Sequence, residues 1–156
     1  MIYLFMGVSG CGKTTAGQLF AKKNGLKFID ADDLHSPENR QKMSSGKPLC
    51  DADRKEWLNK INSVLLKSPD TVIACSALKQ KYRDKIFKNI TGYKLIFLQI
   101  NYNEAMERIK NRRDHFFPLQ LLQSQFDTLE TPENAINIDA RLSPEKIISM
   151  ITGRYN

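Results

Sequence analysis

Eight residues near the N-terminus, Gly7, Val8, Ser9, Gly10, Cys11, Gly12, Lys13 and Thr14, satisfy the pattern GxxxxGK[ST]. Glycines at these positions let the backbone bend closely around phosphate oxygens with its N–H groups turned inward. A helix that starts at the lysine adds the positive end of its dipole. Lys13 has the reach for the β- and γ-phosphates, the Thr14 hydroxyl suits Mg²⁺, and Thr15 extends the same helix start. The expected ligand is a nucleoside triphosphate bound along residues 7–15.

A second group of chemically capable residues stands in "FIDADDLH". The apolar run at 27–30 predicts a strand whose carboxyl end carries Asp30, Asp32 and Asp33, and ligands of open α/β sheets gather at that edge. Alternation along an extended chain puts Asp30 and Asp32 on one side. Asp30 is assigned to the Mg²⁺ shell through water. Asp32 is assigned to an acceptor hydroxyl, acting at an ordinary carboxylate pKa. Asp139, at the end of "AINID", is the rival metal ligand.

These residues need a scaffold, and the chain supplies one by alternation. Short β-branched and aromatic runs at 2–6, 27–30, 71–76, 94–100 and 135–139 predict strands buried on both faces. Between them lie segments with helical spacing, such as Trp57, Leu58, Ile61, Val64 and Leu65. Ser36-Pro37 and Ser143-Pro144 mark helix starts, Asp53 with Glu56 makes a capping-box pattern, and Gly25 follows a helix end. The expectation is an α/β fold of three layers, a five-stranded parallel sheet with helices on both faces. The polar stretches at 32–56 and 111–118 read as excursions from one core.

At 156 residues the chain is expected to form one domain. No apolar run approaches the length of a membrane span, so a cytoplasmic protein without membrane contact is expected. Cys11, Cys50 and Cys75 have unrelated spacings and read as reduced thiols, although Cys11, beside Lys13 at a helix start, is expected to be reactive. The net charge of +7 favours anionic partners. The basic residues are scattered without interleaved aromatics, so a small molecule is expected rather than nucleic acid. Neither the Asp-x-x-Gly strand end nor the Asn-Lys-x-Asp string of a switch GTPase occurs. A small kinase remains.

Longer blocks carry a resemblance. "DADDLHSPENRQKMSSGKPLCDADRKEWL", "CSALKQKYRD" at 75–84 and "HFFPLQLLQSQFDTLETP" at 115–132 resemble, in order, segments of the gluconokinases, within the small P-loop kinases related to shikimate kinase and adenylate kinase. The resemblance implies a P-loop kinase fold with a mobile lid at about 111–118 and a substrate segment at about 32–56. It also implies ATP-dependent phosphorylation of D-gluconate at its 6-hydroxyl, with Mg²⁺. Gluconate, a polyhydroxylated acid, would meet Asp32, His35, Asn39, Ser76 and Gln125, with Arg54, Lys79 and Arg83 as cations for its carboxylate. Arg83 is favoured there because its planar fork matches a carboxylate.

Arg108 and Arg112, four apart on a helix expected at 103–113, would share a face toward ATP, and Arg113 would follow. The catalytic set is Lys13, Asp32 and Arg112. The sequence departs from the gluconokinase pattern at Asp114, where glycine is expected, and at Cys11, where serine is usual. A kinase for another hydroxy acid such as shikimate, a nucleotide- or nucleic-acid-binding module, and a homodimer all stay open.

Overall fold

The computed structural model describes residues 1–112 and 117–155, of which 154 and 155 are described in backbone only. Five strands, β1 (Ile2–Met6), β2 (Lys27–Asp30), β3 (Thr71–Ala74), β4 (Tyr93–Gln99) and β5 (Ala135–Asp139), form one parallel sheet in the order β2-β3-β1-β4-β5. Seven described helices accompany them: α1 (Lys13–Asn24), α2 (Pro37–Ser44), α3 (Asp51–Leu66), α4 (Gln80–Ile86), α5 (Tyr102–Lys110), α6 (Leu119–Thr128) and α7 (Pro144–Tyr155). A 3-10 turn spans Ala31–Leu34.

Alternation along the central strands divides the core into two faces. Ile2, Leu4 and Met6 of β1, with Leu95 and Phe97 of β4, pack against Trp57, Leu58, Ile61 and Leu65 of α3 and Ile86 of α4. Phe5, Ile96 and Leu98 point the other way, against Ala16 and Phe20 of α1 and Ile147, Ile148 and Ile151 of α7. With apolar residues on both faces, a strand must be covered on both, and three layers result. The neighbouring strands β1 and β3 therefore send their connections, α1 and α4, to opposite faces. A crevice opens at the carboxyl edge where the two part, the usual ligand position of such sheets.

The local signals fare unevenly. Ser36 caps α2 through the Asn39 N–H at 3.1 Å with Pro37 in the first turn, and Gly25 ends α1 in a left-handed conformation at φ 64°. Asp53 is not the cap of α3. Cys50 holds that position, and Asp53, three residues on, accepts the Cys50 N–H at 2.9 Å. Strand β3 ends at Ala74, two residues before the expected end. Helix α5 ends at Lys110, so Arg112 lies beyond it and cannot share a helical face with Arg108. Of the expected lid, Arg113, Asp114, His115 and Phe116 lie outside the described residues.

Candidate active site

The loop from Gly7 to Gly12 leaves β1 at the crevice. Gly10 has φ +86°, and a Cβ there would stand 2.9 Å from the carbonyl oxygen of Ala105, so α5 approaches the bare backbone. Gly12 precedes α1 at φ +87° with no side-chain cap, and the first turn carries no acidic residue. The leading N–H groups of α1 are thus left to an anion. Among the described residues Lys13 makes no ion pair, which leaves its ammonium available to the same anion.

Asp30, the last residue of β2, lies beside this loop. Its Oδ2 accepts the Thr14 hydroxyl at 3.3 Å, and its Oδ1 accepts the Asp32 N–H at 3.0 Å, capping the 3-10 turn. Asp32 follows in the 3-10 turn with part of its surface open to solvent. Desolvation there raises its pKa despite the attraction of Lys13, and the neighbouring Asp30 and Asp33 push it further up. The expectation of an ordinary carboxylate is corrected accordingly: Asp32 is the more basic for its surroundings. Asp139, the rival, is occupied by Arg141, whose side chain donates to it at 2.7 to 3.1 Å and whose backbone N–H donates at 2.9 Å, and these bonds hold its carboxyl down at about 2.

The substrate segment puts His35 and Asn39 within one buried cluster. His35 stacks on Trp57 with ring centroids 4.1 Å apart, and Asn39 reaches His35 Nδ1 at 3.5 Å and the Asp53 carbonyl at 2.8 Å. Burial lowers the His35 pKa to about 4, helped by Arg54 and Arg40, so the ring is neutral near pH 7. Its Nε2 has no protein partner among the described residues. Arg54 donates to the Leu49 carbonyl and to the Tyr82 hydroxyl, and its guanidinium lies 5.1 Å from the Tyr82 ring centroid. Lys79 sits 5.7 Å from the same centroid and 3.7 Å from Asp51. Two cations thus meet across one tyrosine. Ser76 is half-buried just past β3.

Arg83 is elsewhere. It is 2% exposed, and its five N–H donors go to the carbonyls of Ala77, Leu78 and Glu130 and twice to Gln80 Oε1. The guanidinium fork expected for a substrate carboxylate is spent on holding the turn after β3, where Ala77 has φ 44°, a left-handed conformation that strains a residue with a Cβ. Cys11 is also buried, at 1% exposure, against the second core face. A thiol so placed does not meet reagents in solution, so its expected reactivity is corrected as well. Cys50 is the exposed thiol.

Beside the loop, a cleft of about 390 Å³ is lined by Gly10 to Gly12, Thr15, Arg108, Arg112, Ala140, Leu142 and Ile147. Arg108 donates to the Gly10 carbonyl at 3.2 Å and the Ala140 carbonyl at 2.6 Å, bracing the cleft wall. Arg112 reaches the same cleft from beyond α5. The apolar Leu142 and Ile147, which the sequence reading missed, give this cleft a wall for a flat apolar group. Their one signal was position, directly after a strand of the same sheet. Gln125 of α6 accepts the Ser9 N–H through Oε1 at 2.7 Å, joining α6 to the loop.

A helix-opening glycine loop beside a carboxylate pair at a parallel-sheet switch point defines a P-loop phosphotransferase. The shikimate kinase family model matches residues 9–137. A probable gluconokinase of Dictyostelium discoideum is 45% identical over 142 residues, covering 85% of this chain and 71% of that protein. The thermosensitive gluconokinase of Escherichia coli is 42% identical over 135 residues, covering 84% and 72%. A gluconokinase structure from Sinorhizobium meliloti aligns with a TM-score of 0.86 at 40% identity, covering 94% of this chain and 86% of that one. The chain belongs to the gluconokinases of the shikimate kinase family.

Proposed function

We propose that this enzyme transfers the γ-phosphoryl group of ATP to the 6-hydroxyl of D-gluconate, giving 6-phospho-D-gluconate and ADP. The observation that carries the reading is the meeting of Thr14 and Asp30, which brings Asp30, at the end of β2, and Asp32, in the 3-10 turn that Asp30 caps, to the mouth of the phosphate loop. The names of the relatives point to the same acceptor.

The loop of Gly7 to Thr15 holds the triphosphate through the backbone N–H groups it leaves free, those of Ser9 and Cys11 being bonded to Gln125 and Val8, and Lys13 places its charge on the β- and γ-phosphates. The cleft with Arg108, Arg112, Leu142 and Ile147 takes the nucleoside side. Asp32 orients the acceptor hydroxyl in line with the γ-phosphorus. As the new O–P bond forms and the bond to the bridging oxygen of ADP breaks, the hydroxyl proton passes to Asp32. Phosphoryl transfer through a loose transition state needs positioning and charge neutralisation more than a strong base, so a carboxylate suffices. Arg112 offsets charge on the equatorial oxygens.

The Thr14 hydroxyl and the Asp30 carboxylate are hard oxygen donors at one point, which suits Mg²⁺ held partly by water and phosphate. When bound there, Mg²⁺ would supply charge neutralisation to the phosphoryl group in transfer.

The gluconate carboxylate is assigned to Arg54 and Lys79 around Tyr82, and its hydroxyls to His35 Nε2, Asn39 and Ser76. Three thiols, all unpaired, suit a reducing cytoplasmic setting. A coupled ADP-release assay against D-gluconate, other sugar acids, shikimate and nucleoside monophosphates tests the acceptor. Turnover that prefers any other member of the panel overturns the reading.

A further inference from the structure

The phosphate loop has one side-chain partner that the chemistry above does not use. Gln125 lies 116 residues from Ser9 in the chain, yet its Oε1 accepts the Ser9 N–H at 2.7 Å. The contact is built in rather than incidental. Leu122 and Phe126 of the same helix pack with Val8 of the loop and with Ala105 and Ile109 of α5, fixing α6 against the loop on either side of the glutamine. An amide tied at its oxygen has only its nitrogen left to offer. Among the described residues Gln125 Nε2 has no acceptor, and it stands one amide's width from the loop's first turn.

We propose that Gln125 is a positioning residue for phosphoryl transfer. It holds the Ser9 peptide in the anion-binding turn and, its oxygen being committed there, turns its two Nε2 hydrogens toward the γ-phosphoryl oxygens. Glutamine is suited to this where glutamate is not. A carboxylate would keep the acceptor for Ser9 but place a negative charge against the triphosphate, with no donor to offset it. A leucine would keep the bulk and lose both functions. Gln125 neither gains nor loses a proton in the step. The inference rests on the kinase reading given above, and it moves Gln125 from the sugar side of the site to the phosphate side.

The test compares Gln125→Leu and Gln125→Glu with the wild-type enzyme. Melting temperature is recorded alongside kcat at saturating MgATP and D-gluconate, and MgATP affinity is measured by titration without acceptor. The expected result for Gln125→Leu is a kcat at least about tenfold lower, toward the range for loss of one positioned donor, in a protein that melts within a few degrees of wild type. For Gln125→Glu the fold is retained and the MgATP dissociation constant rises at least about tenfold, because Ser9 keeps its partner while like charges face each other. A folded Gln125→Leu enzyme within twofold of the wild-type kcat, or Gln125→Glu binding MgATP as tightly as wild type, overturns the proposal. Wild-type enzyme inactive on gluconate would instead refute the acceptor assignment, and the acceptor-free titration would still decide the role of Gln125.

Discussion

The Thr14 hydroxyl donates to Asp30 Oδ2 at 3.3 Å, so the first turn of α1 and the end of β2 meet although β3 lies between β1 and β2 in the sheet. This contact separates the tasks of the two carboxylates. On the proposed mechanism Asp30, bonded to the Thr14 hydroxyl, serves the metal, and Asp32, under the field of Lys13, serves the acceptor. Asp30→Asn should raise the Mg²⁺ concentration needed for half-maximal rate. Asp32→Asn should leave MgATP binding intact and lower kcat by about 10² to 10⁴, the usual contribution of a general base. Metal titrations and steady-state rates on both variants check this. Equal loss of MgATP binding in the two would mean that the roles are misassigned.

Arg83 makes a stability prediction. Arg83→Met leaves the carbonyls of Ala77, Leu78 and Glu130 without their donor in a buried place. Unsatisfied buried groups cost about 1 to 3 kcal/mol each, less whatever water can reach, so a loss of about 2 to 4 kcal/mol in urea unfolding is expected. Rates should fall with it, as the strained turn at Ala77 relaxes. A variant as stable as wild type would show that the turn holds itself.

The parallel sheet was legible from the sequence because its strands are apolar on both faces, and β1, β2 and β5 fall where the runs at 2–6, 27–30 and 135–139 place them. The phosphate loop was legible because its glycines and lysine answer to one physical task. Arg83 was not, because an arginine that serves a carboxylate and one that serves carbonyls have the same local sequence. Only the fold brings Glu130 to it, 47 residues on. Helix α5 stops at Lys110, where the Asn111 and Arg112 N–H groups turn back to Glu107 and Ile109, and no glycine or proline announces that end. The cleft wall at Leu142 and Ile147 is likewise a product of β5 lying beside β4.

The cysteines should be distinguishable by rate. Cys50 is exposed, whereas Cys11 and Cys75 are buried, and burial pushes the Cys75 thiol up to about 12. Brief alkylation of native enzyme at pH 8 followed by peptide mapping should find the label on Cys50 alone. Labelling of Cys11 as fast as Cys50 would contradict the packing of the loop.

His35 gives stability a dependence on pH. Folded, it takes a proton only near pH 4, but unfolded it does so near 6.5. Between those values the unfolded chain binds more protons, so stability rises with pH across that window and is lost as pH falls from 6.5 toward 4. Above the window both states are neutral and the group adds no slope. The stability difference between wild type and His35→Asn should therefore be largest near pH 7 and shrink toward pH 4. A difference constant across that range would mean that the imidazole titrates normally in the folded protein.

The acceptor itself is tested most directly by the product. Enzyme incubated with MgATP and D-gluconate, followed in parallel by ADP release and by ³¹P NMR of the sugar acid, should yield one phosphate ester at the 6-position for each ADP. Shikimate should yield none at matched concentration. ADP release that is the same with and without gluconate, or an ester formed on shikimate in preference, would contradict the account.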